Sequence, residues 1–168
     1  MGSAAEAAAS AAEAQAVAGE DMKAKDFLNK LDEARVVEAI RLAELKTSGE
    51  IRVFVSRQNL REGENVMVRA AKEFEKLQLT ATRERNGVLI YFMPHAQKFA
   101  ILGDKGIDEK CGLDFWQSVA ARIGEQLRND HFTDAVTEAV SLVGEALGRH
   151  FPRRPDDQDE LSNEVEKD

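Results

Sequence analysis

Cysteine is almost absent from this chain, and its scarcity limits the chemistry that is possible. Of the 168 residues only Cys111 is a cysteine, so neither an internal disulfide nor a pair of thiolate zinc ligands can form. A lone cysteine is most often a small apolar packing residue. A nucleophilic thiol would require a neighbouring base, and the sequence around Cys111 offers none. A packing role is therefore predicted for this side chain.

Clusters of basic residues and long apolar runs are also missing. The formal net charge is −8 and the pI is about 5.0, and no group of lysines and arginines alternates with aromatic residues. This composition disfavours a nucleic-acid partner. No apolar run is long enough to span a bilayer. The acidic balance favours a cationic ligand, such as a metal ion held by carboxylates.

Both ends of the chain have few of the large apolar side chains that a core requires. Residues 1–24 are rich in Ala and Glu and are predicted to be a spacer or cloning remnant outside the fold. They have neither the basic start nor the leucine-rich centre of a signal peptide, so we expect a cytoplasmic location, or export if a leader was removed. Residues 153–168 are charged and predicted to be disordered. One α/β domain over residues 25–152 remains.

Hydrophobic periodicity predicts seven elements in this domain. In chain order they are a helix over 26–46, a strand over 51–56, a helix over 66–77, strands over 88–93 and 98–102, and helices over 114–128 and from 133 onward. Asp114 and Thr133 are predicted to cap the last two helices, and Pro152 to end the fold.

The order of these elements predicts a small mixed sheet. A strand–helix–strand unit implies a right-handed crossover and a parallel pair. The next two strands are separated by four residues and therefore form an antiparallel hairpin. We expect an α/β fold in which helices flank both faces of the sheet.

Polar residues beside glycines mark one end of each predicted strand. The two parallel strands begin at Glu50 and at Arg85–Asn86, and the third strand runs back and ends near Asp104. Because these ends lie at the same edge of the sheet, we expect the polar residues to converge. Asp108 and Glu109 follow on the loop after the third strand.

Carboxylate, amide and carbonyl oxygens in such a cluster suit a hard cation, Ca²⁺ or Mg²⁺. The predicted ligands are Glu50, Asn86, Asp104, Asp108 and Glu109. An alternative explanation requires no metal. In that case Glu50 pairs with Arg85 or Arg52, and Asp104 forms an Asx turn over Lys105–Gly106. The residues alone leave both explanations open.

Other motifs indicate structure rather than chemistry. His95, His131 and His150 have no ligand spacing to one another. Ser48 precedes a glycine but lies in no nucleophile-elbow pattern. Trp116 is predicted to belong to the core.

Several separated segments resemble the TPM domain family, and in particular its short bacterial branch. They are "AELKTSGEIRVFV", "RNGVLIYF", "FAILGDKGI", "DFWQSVAARI" and "GEALGRHFP", and the resemblance covers about residues 32–152. It implies an α/β sandwich with a divalent-cation site at the loop edge, where Glu50 and Asp104 match acidic positions beside Asn86. It also implies acid phosphatase activity in plant members and roles in the assembly or repair of membrane complexes.

Three functions follow from these observations. The favoured hypothesis is a divalent-cation-binding interaction module that assists membrane-associated complexes. The alternative is a metal-assisted phosphomonoester hydrolase, in which Asp104 is a metal ligand or nucleophile and Arg85 contacts the phosphate. A structural domain without a ligand is the third. We favour the module because the sequence lacks the dense carboxylate set of a two-metal phosphatase.

Overall fold

The computed structural model describes residues 8–15, 24–156 and 163–168, which form five strands and five α-helices. In chain order the elements are β1 (Ala8–Gln15), α1 (Ala24–Lys30), α2 (Glu33–Glu44), β2 (Glu50–Val55), α3 (Val66–Lys76), β3 (Gly87–Met93), β4 (Lys98–Asp104), α4 (Lys105–Arg128), α5 (Phe132–His150) and β5 (Val165–Lys167). Two 3₁₀ turns, Leu79–Ala81 and Pro94–Ala96, lie before and after β3.

The strands form one mixed sheet in the order β1–β4–β3–β2–β5. Strands β2 and β3 are parallel, with α3 between them in the chain, and β3 and β4 form an antiparallel hairpin. The predicted parallel unit and hairpin are therefore both confirmed. Every residue of β3 is buried, as expected of an apolar central strand covered on both faces.

Side-chain alternation along the strands divides the core into two layers. On one face Ile51, Val53 and Val55 of β2 pack beneath α1, α2, α4 and α5. On the other face Phe54 packs with α3 and the turn around Leu79. Helices thus cover both faces of the sheet, as predicted. Trp116 is fully buried in the four-helix layer, so its predicted core role is confirmed.

Three helix boundaries differ from the prediction. The helix expected over residues 26–46 is divided at Asp32, whose side chain caps α2 by accepting from the backbone N–H of Arg35. Helix α4 begins at Lys105 rather than Asp114 and is interrupted at Gly112, where φ is 75°. Thr133 is not a cap; instead its Oγ1 accepts from the N–H of Asp32 at 3.0 Å. Each boundary was mispredicted because a residue type that caps helices can also form other hydrogen bonds, and a glycine can also occur within a helix.

Both predicted tails contribute strands to the sheet. Within residues 1–24, expected to lie outside the fold, Ala8–Gln15 pairs with β4. Within residues 153–168, expected to be disordered, Val165–Lys167 pairs with β2, and Val165 packs against the core. Low hydrophobicity predicts little area to bury, but an open sheet edge also offers backbone hydrogen bonds to a polar segment. None of the helices in the described part of the chain could cross a membrane.

The contact between β4 and α4 leads to a stability prediction. A Cβ added to Gly103 would lie 2.3 Å from Cζ2 of the Trp116 indole. We expect Gly103→Ala to lower the free energy of unfolding by about 1–3 kcal/mol, because the rigid ring has to move. Urea denaturation followed by circular dichroism measures this change.

Gly124→Ala is the matched control. Its Cβ would meet only the Arg128 guanidinium at 3.8 Å, and alanine is the better helix former by up to about 1 kcal/mol. Its stability should be unchanged or higher. Equal stability of the two variants would contradict the close packing of Gly103 against Trp116.

Candidate functional site

The three strand ends meet at one edge of the sheet, as the strand directions predict. Glu50 pairs with Gly87 across the parallel ladder, and Val88 pairs with Gly103 across the antiparallel one. Asp104 follows Gly103 and ends β4. Glu50 and Asp104 therefore flank Gly87 at this edge, which we call the loop edge.

Glu50 and Asp104 also belong to the same face of the sheet. Strand alternation places them on the side of Phe54 and Leu102, beneath α3. Gly87 lies between them and has no side chain, so the turn at Leu79 can approach it closely. A Cβ on Gly87 would lie 2.7 Å from the Leu79 carbonyl oxygen. Two buried carboxylates and one carbonyl oxygen thus occupy the same face of the loop edge.

Asp104 is paired with Arg85 in a two-pronged contact. Nε of Arg85 donates to Oδ2 of Asp104 at 2.6 Å, and Nη2 donates to Oδ1 at 2.8 Å. The carboxylate is fully buried, whereas the arginine side chain is 39% exposed. The hydrogen bond to Asp104 raises the pKa of Arg85. Oδ1 of Asp104 also accepts from the N–H of Lys105 at 2.8 Å and caps α4.

A backbone contact fixes the position of Arg85. Its φ is 53°, and its carbonyl accepts from the N–H of Gly106 at 2.8 Å. A Cβ on Gly106 would lie 2.2 Å from the carbonyl oxygen of Glu84. Glycine at this position therefore lets the loop before β3 lie against the start of α4. This contact replaces the Asx turn over Lys105–Gly106 that the sequence suggested.

A second group of polar side chains lies beside this ion pair. Ser48 Oγ donates to Oε2 of Glu84 at 2.5 Å, and Nδ2 of Asn86 donates to Ser48 Oγ at 3.1 Å. Oδ1 of Asn86 is buried and has no hydrogen-bond partner among the described residues. Asn86 thus presents an amide oxygen that a ligand could still use.

Sequence reasoning missed Glu84, the role of Ser48 and the segment after α5. Phe151 continues past the helix, and its carbonyl accepts from Oγ1 of Thr47 and from the N–H of Ser48. Arg154 then donates to Oε1 of Glu84 at 2.7 Å. The two arginines after Pro152 could have indicated this contact, because a basic residue just past a core helix can reach an acidic side chain on a neighbouring loop.

Asp108 and Glu109 do not join the cluster as predicted. Oδ1 of Asp108 accepts from Nε1 of Trp116 at 3.1 Å, and Trp116 lies in the core layer on the opposite face of the sheet from Asp104. Glu109 is exposed on α4. Their predicted roles assumed a loop after Asp104, whereas the chain enters a helix there at once.

Cys111 is partly buried in the same helix, and burial raises the pKa of its thiol. An activated cysteine requires the opposite shift. The packing role predicted for this residue is consistent with its position.

The oxygen set at the loop edge partly fits a divalent cation. Among the side chains described in residues 24–156 and 163–168, no three from His, Cys, Asp or Glu come close enough to hold a metal. Calcium, however, also accepts amide and backbone oxygens. Glu50, Asp104, Asn86 and the Leu79 carbonyl supply such oxygens, and the Arg85 guanidinium supplies a positive charge beside Asp104.

Comparison with known proteins agrees with the fold and the motifs. The model of the TPM domain matches residues 22–146. A solved structure, the NMR structure of the BA42 protein from the psychrophilic bacterium Bizionia argentinensis, is 38% identical and has a TM-score of 0.73. The match covers 81% of this chain and 92% of that one. Among curated proteins, none matches the chain.

The ion pair leads to a prediction about stability. Asp104→Asn should lower the free energy of unfolding by about 1–2 kcal/mol, because it removes the charge that Arg85 faces and replaces one of the two acceptor oxygens with an amide nitrogen. The loss of charge is given only a small share of this change, because Arg85 is more than a third exposed and water screens its interaction with Asp104. Denaturation in EDTA keeps the measurement independent of metal.

Glu109→Gln provides the control, since an exposed carboxylate of the same helix should change stability by less than about 0.5 kcal/mol. If Asp104→Asn were as stable as Glu109→Gln, the pair with Arg85 would have no structural role.

Proposed function

The chain belongs to the TPM domain family, and from this premise we propose that it is an interaction module that binds a divalent cation at its loop edge. The ligands are Glu50, Asp104, Asn86 and the Leu79 carbonyl, and the cation is Ca²⁺ or Mg²⁺. The partner that fits the family resemblance is a membrane-associated complex. The cation would neutralise the edge and stiffen the loops that surround it.

One observation carries the proposal: Glu50 and Asp104 lie on the same face of the sheet on either side of a glycine, with a carbonyl oxygen above that glycine. Buried carboxylates are costly unless a cation or hydrogen bonds compensate them. Glu50 is 2% exposed and Asp104 is fully buried. Asp104 is compensated by Arg85, and the two carboxylates on one face supply two of the oxygen ligands that a divalent cation takes.

Arg85 acts as an internal substitute for the cation in this proposal. Its guanidinium satisfies both oxygens of Asp104, yet its side chain is the exposed partner of the pair. A cation that enters the site can displace the Arg85 side chain toward solvent at little cost in free energy, because water then solvates the guanidinium charge. Cation binding and the Arg85–Asp104 ion pair are therefore expected to compete.

The same contact disfavours the hydrolase alternative. Asp104, the candidate nucleophile, has both oxygens engaged, and Arg85, the candidate phosphate contact, faces Asp104 rather than a substrate. Metal-assisted hydrolysis also requires an open coordination position and stabilisation of phosphoryl charge. The described residues offer few groups for either task at this edge.

Calcium titration of the full chain, followed by calorimetry and by amide NMR spectra, tests the proposal, with magnesium in parallel. Glu50→Gln and Asp104→Asn should each weaken binding at least about tenfold, because each removes one charged ligand. Arg85→Gln should strengthen binding roughly five- to tenfold, because it removes the competing charge. Glu109→Gln should match the wild type.

Loss of affinity in Arg85→Gln, or equal affinity in all variants, would contradict a site at this edge. An assay with a chromogenic phosphomonoester from pH 5 to 8 distinguishes the hydrolase from the interaction module. Turnover of about one per second or more that disappears in Asp104→Asn would replace the module with the hydrolase.

A further inference from the structure

The outer edge of β2 is occupied by a segment of the chain itself. Strand β5 runs parallel to β2, with Val53 opposite Val165 and Val55 opposite Lys167. Edge strands present unpaired backbone groups that can accept another strand. Residues 163–168 therefore show what kind of peptide this edge accepts.

Four consecutive side chains of the segment each have a distinct environment. Val165 packs against the four-helix core layer. Glu166 pairs with Arg52, and Lys167 pairs with Glu33. Asp168 accepts from Oγ of Ser56 and, at 2.7 Å, from the N–H of Arg57. The segment therefore meets the edge with the pattern apolar, acidic, basic, acidic.

Arg52 provides the main electrostatic contact of the site. Its side chain is only 7% exposed, and Glu166 of the adjoining strand pairs with it. Glu166 contacts only the Nη2 atom, and the buried Nε atom of Arg52 has no hydrogen-bond partner among the described residues. A carboxylate that contacted both nitrogens would bind better.

The occupying segment is also short. Only three residues pair with β2, and Glu166 and Lys167 remain partly exposed. Short, partly exposed edge pairings open at low free energy. A longer strand, or one that holds both nitrogens of Arg52, can therefore replace this one.

We propose that the outer edge of β2 is a strand-addition site for an extended partner segment with the pattern apolar, acidic, basic, acidic, and that residues 163–168 occupy it in the absence of that partner. Backbone pairing supplies affinity, and Arg52, Glu33 and Ser56 supply specificity. The proposal identifies the partner surface of the interaction module above, but it does not depend on the cation.

The experiment uses the full chain in EDTA, so that a failed cation site leaves the result unaffected. Val165→Asp combined with Asp168→Lys opens the edge by removing the apolar and the last acidic contact. The probe is an amidated, fluorescein-labelled peptide with the sequence of residues 163–168, followed by fluorescence anisotropy.

The opened variant should bind the peptide at least tenfold more tightly than the wild type, whose own segment competes at high effective concentration. Arg52→Gln, added to the opened variant, should abolish peptide binding. Arg52→Glu, added instead, should allow binding only of a peptide in which lysine replaces the residue equivalent to Glu166. Amide shifts on peptide binding should fall on residues 51–57.

Several results would overturn the proposal. One is an opened variant that keeps the native amide spectrum but does not bind the peptide. Others are binding that is indifferent to Arg52, and shifts that fall elsewhere on the protein. A concentration-dependent dimer that Arg52→Gln abolishes would assign the edge to a second copy of this chain instead of a foreign partner.

Discussion

The buried carboxylate of Asp104 is the constraint on which the loop edge depends. A carboxylate without exposed surface has to be compensated, and three N–H donors from Arg85 and Lys105 do this. Arg85 can reach it only because its backbone is left-handed and Gly106 has no side chain. The same charge caps α4, so one residue sets the loop before β3, the end of β4 and the start of the helix that covers the core.

Strand direction made much of this arrangement predictable from the sequence. A parallel pair followed by a hairpin brings the start of β2, the start of β3 and the end of β4 to one edge, whatever the side chains are. Apolar continuity identified β3, and spacing identified the helices that cover it. The convergence of Glu50, Asn86 and Asp104 could therefore be expected. The partner of Arg85 could not, because the choice between Glu50 and Asp104 depends on local backbone conformation.

The remaining features depend on pairwise contacts between distant residues, which leave no periodic signal. Asp108 resembles a loop ligand until the helix begins at Lys105 and places it against Trp116. Ser48, Glu84 and Arg154 form a network only because the chain continues past α5 beside Thr47. Residues 163–168 resemble a disordered tail by average composition. They are ordered because individual side chains complement individual positions on and beside β2. A composition averaged over a window of sequence does not show this complementarity.

Two arginine–carboxylate pairs at different edges of the sheet have opposite burial. At the loop edge the carboxylate is fully buried and Arg85 is 39% exposed. At the outer edge of β2 the arginine is 7% exposed and Glu166 is 29% exposed. The buried partner belongs to the core layers and stays, while the exposed partner can return to water without stranding its own charge. In the two binding proposals, each edge exchanges its exposed partner. A cation takes the place of Arg85 at the loop edge, and the carboxylate of an acidic strand takes the place of Glu166 at the β2 edge.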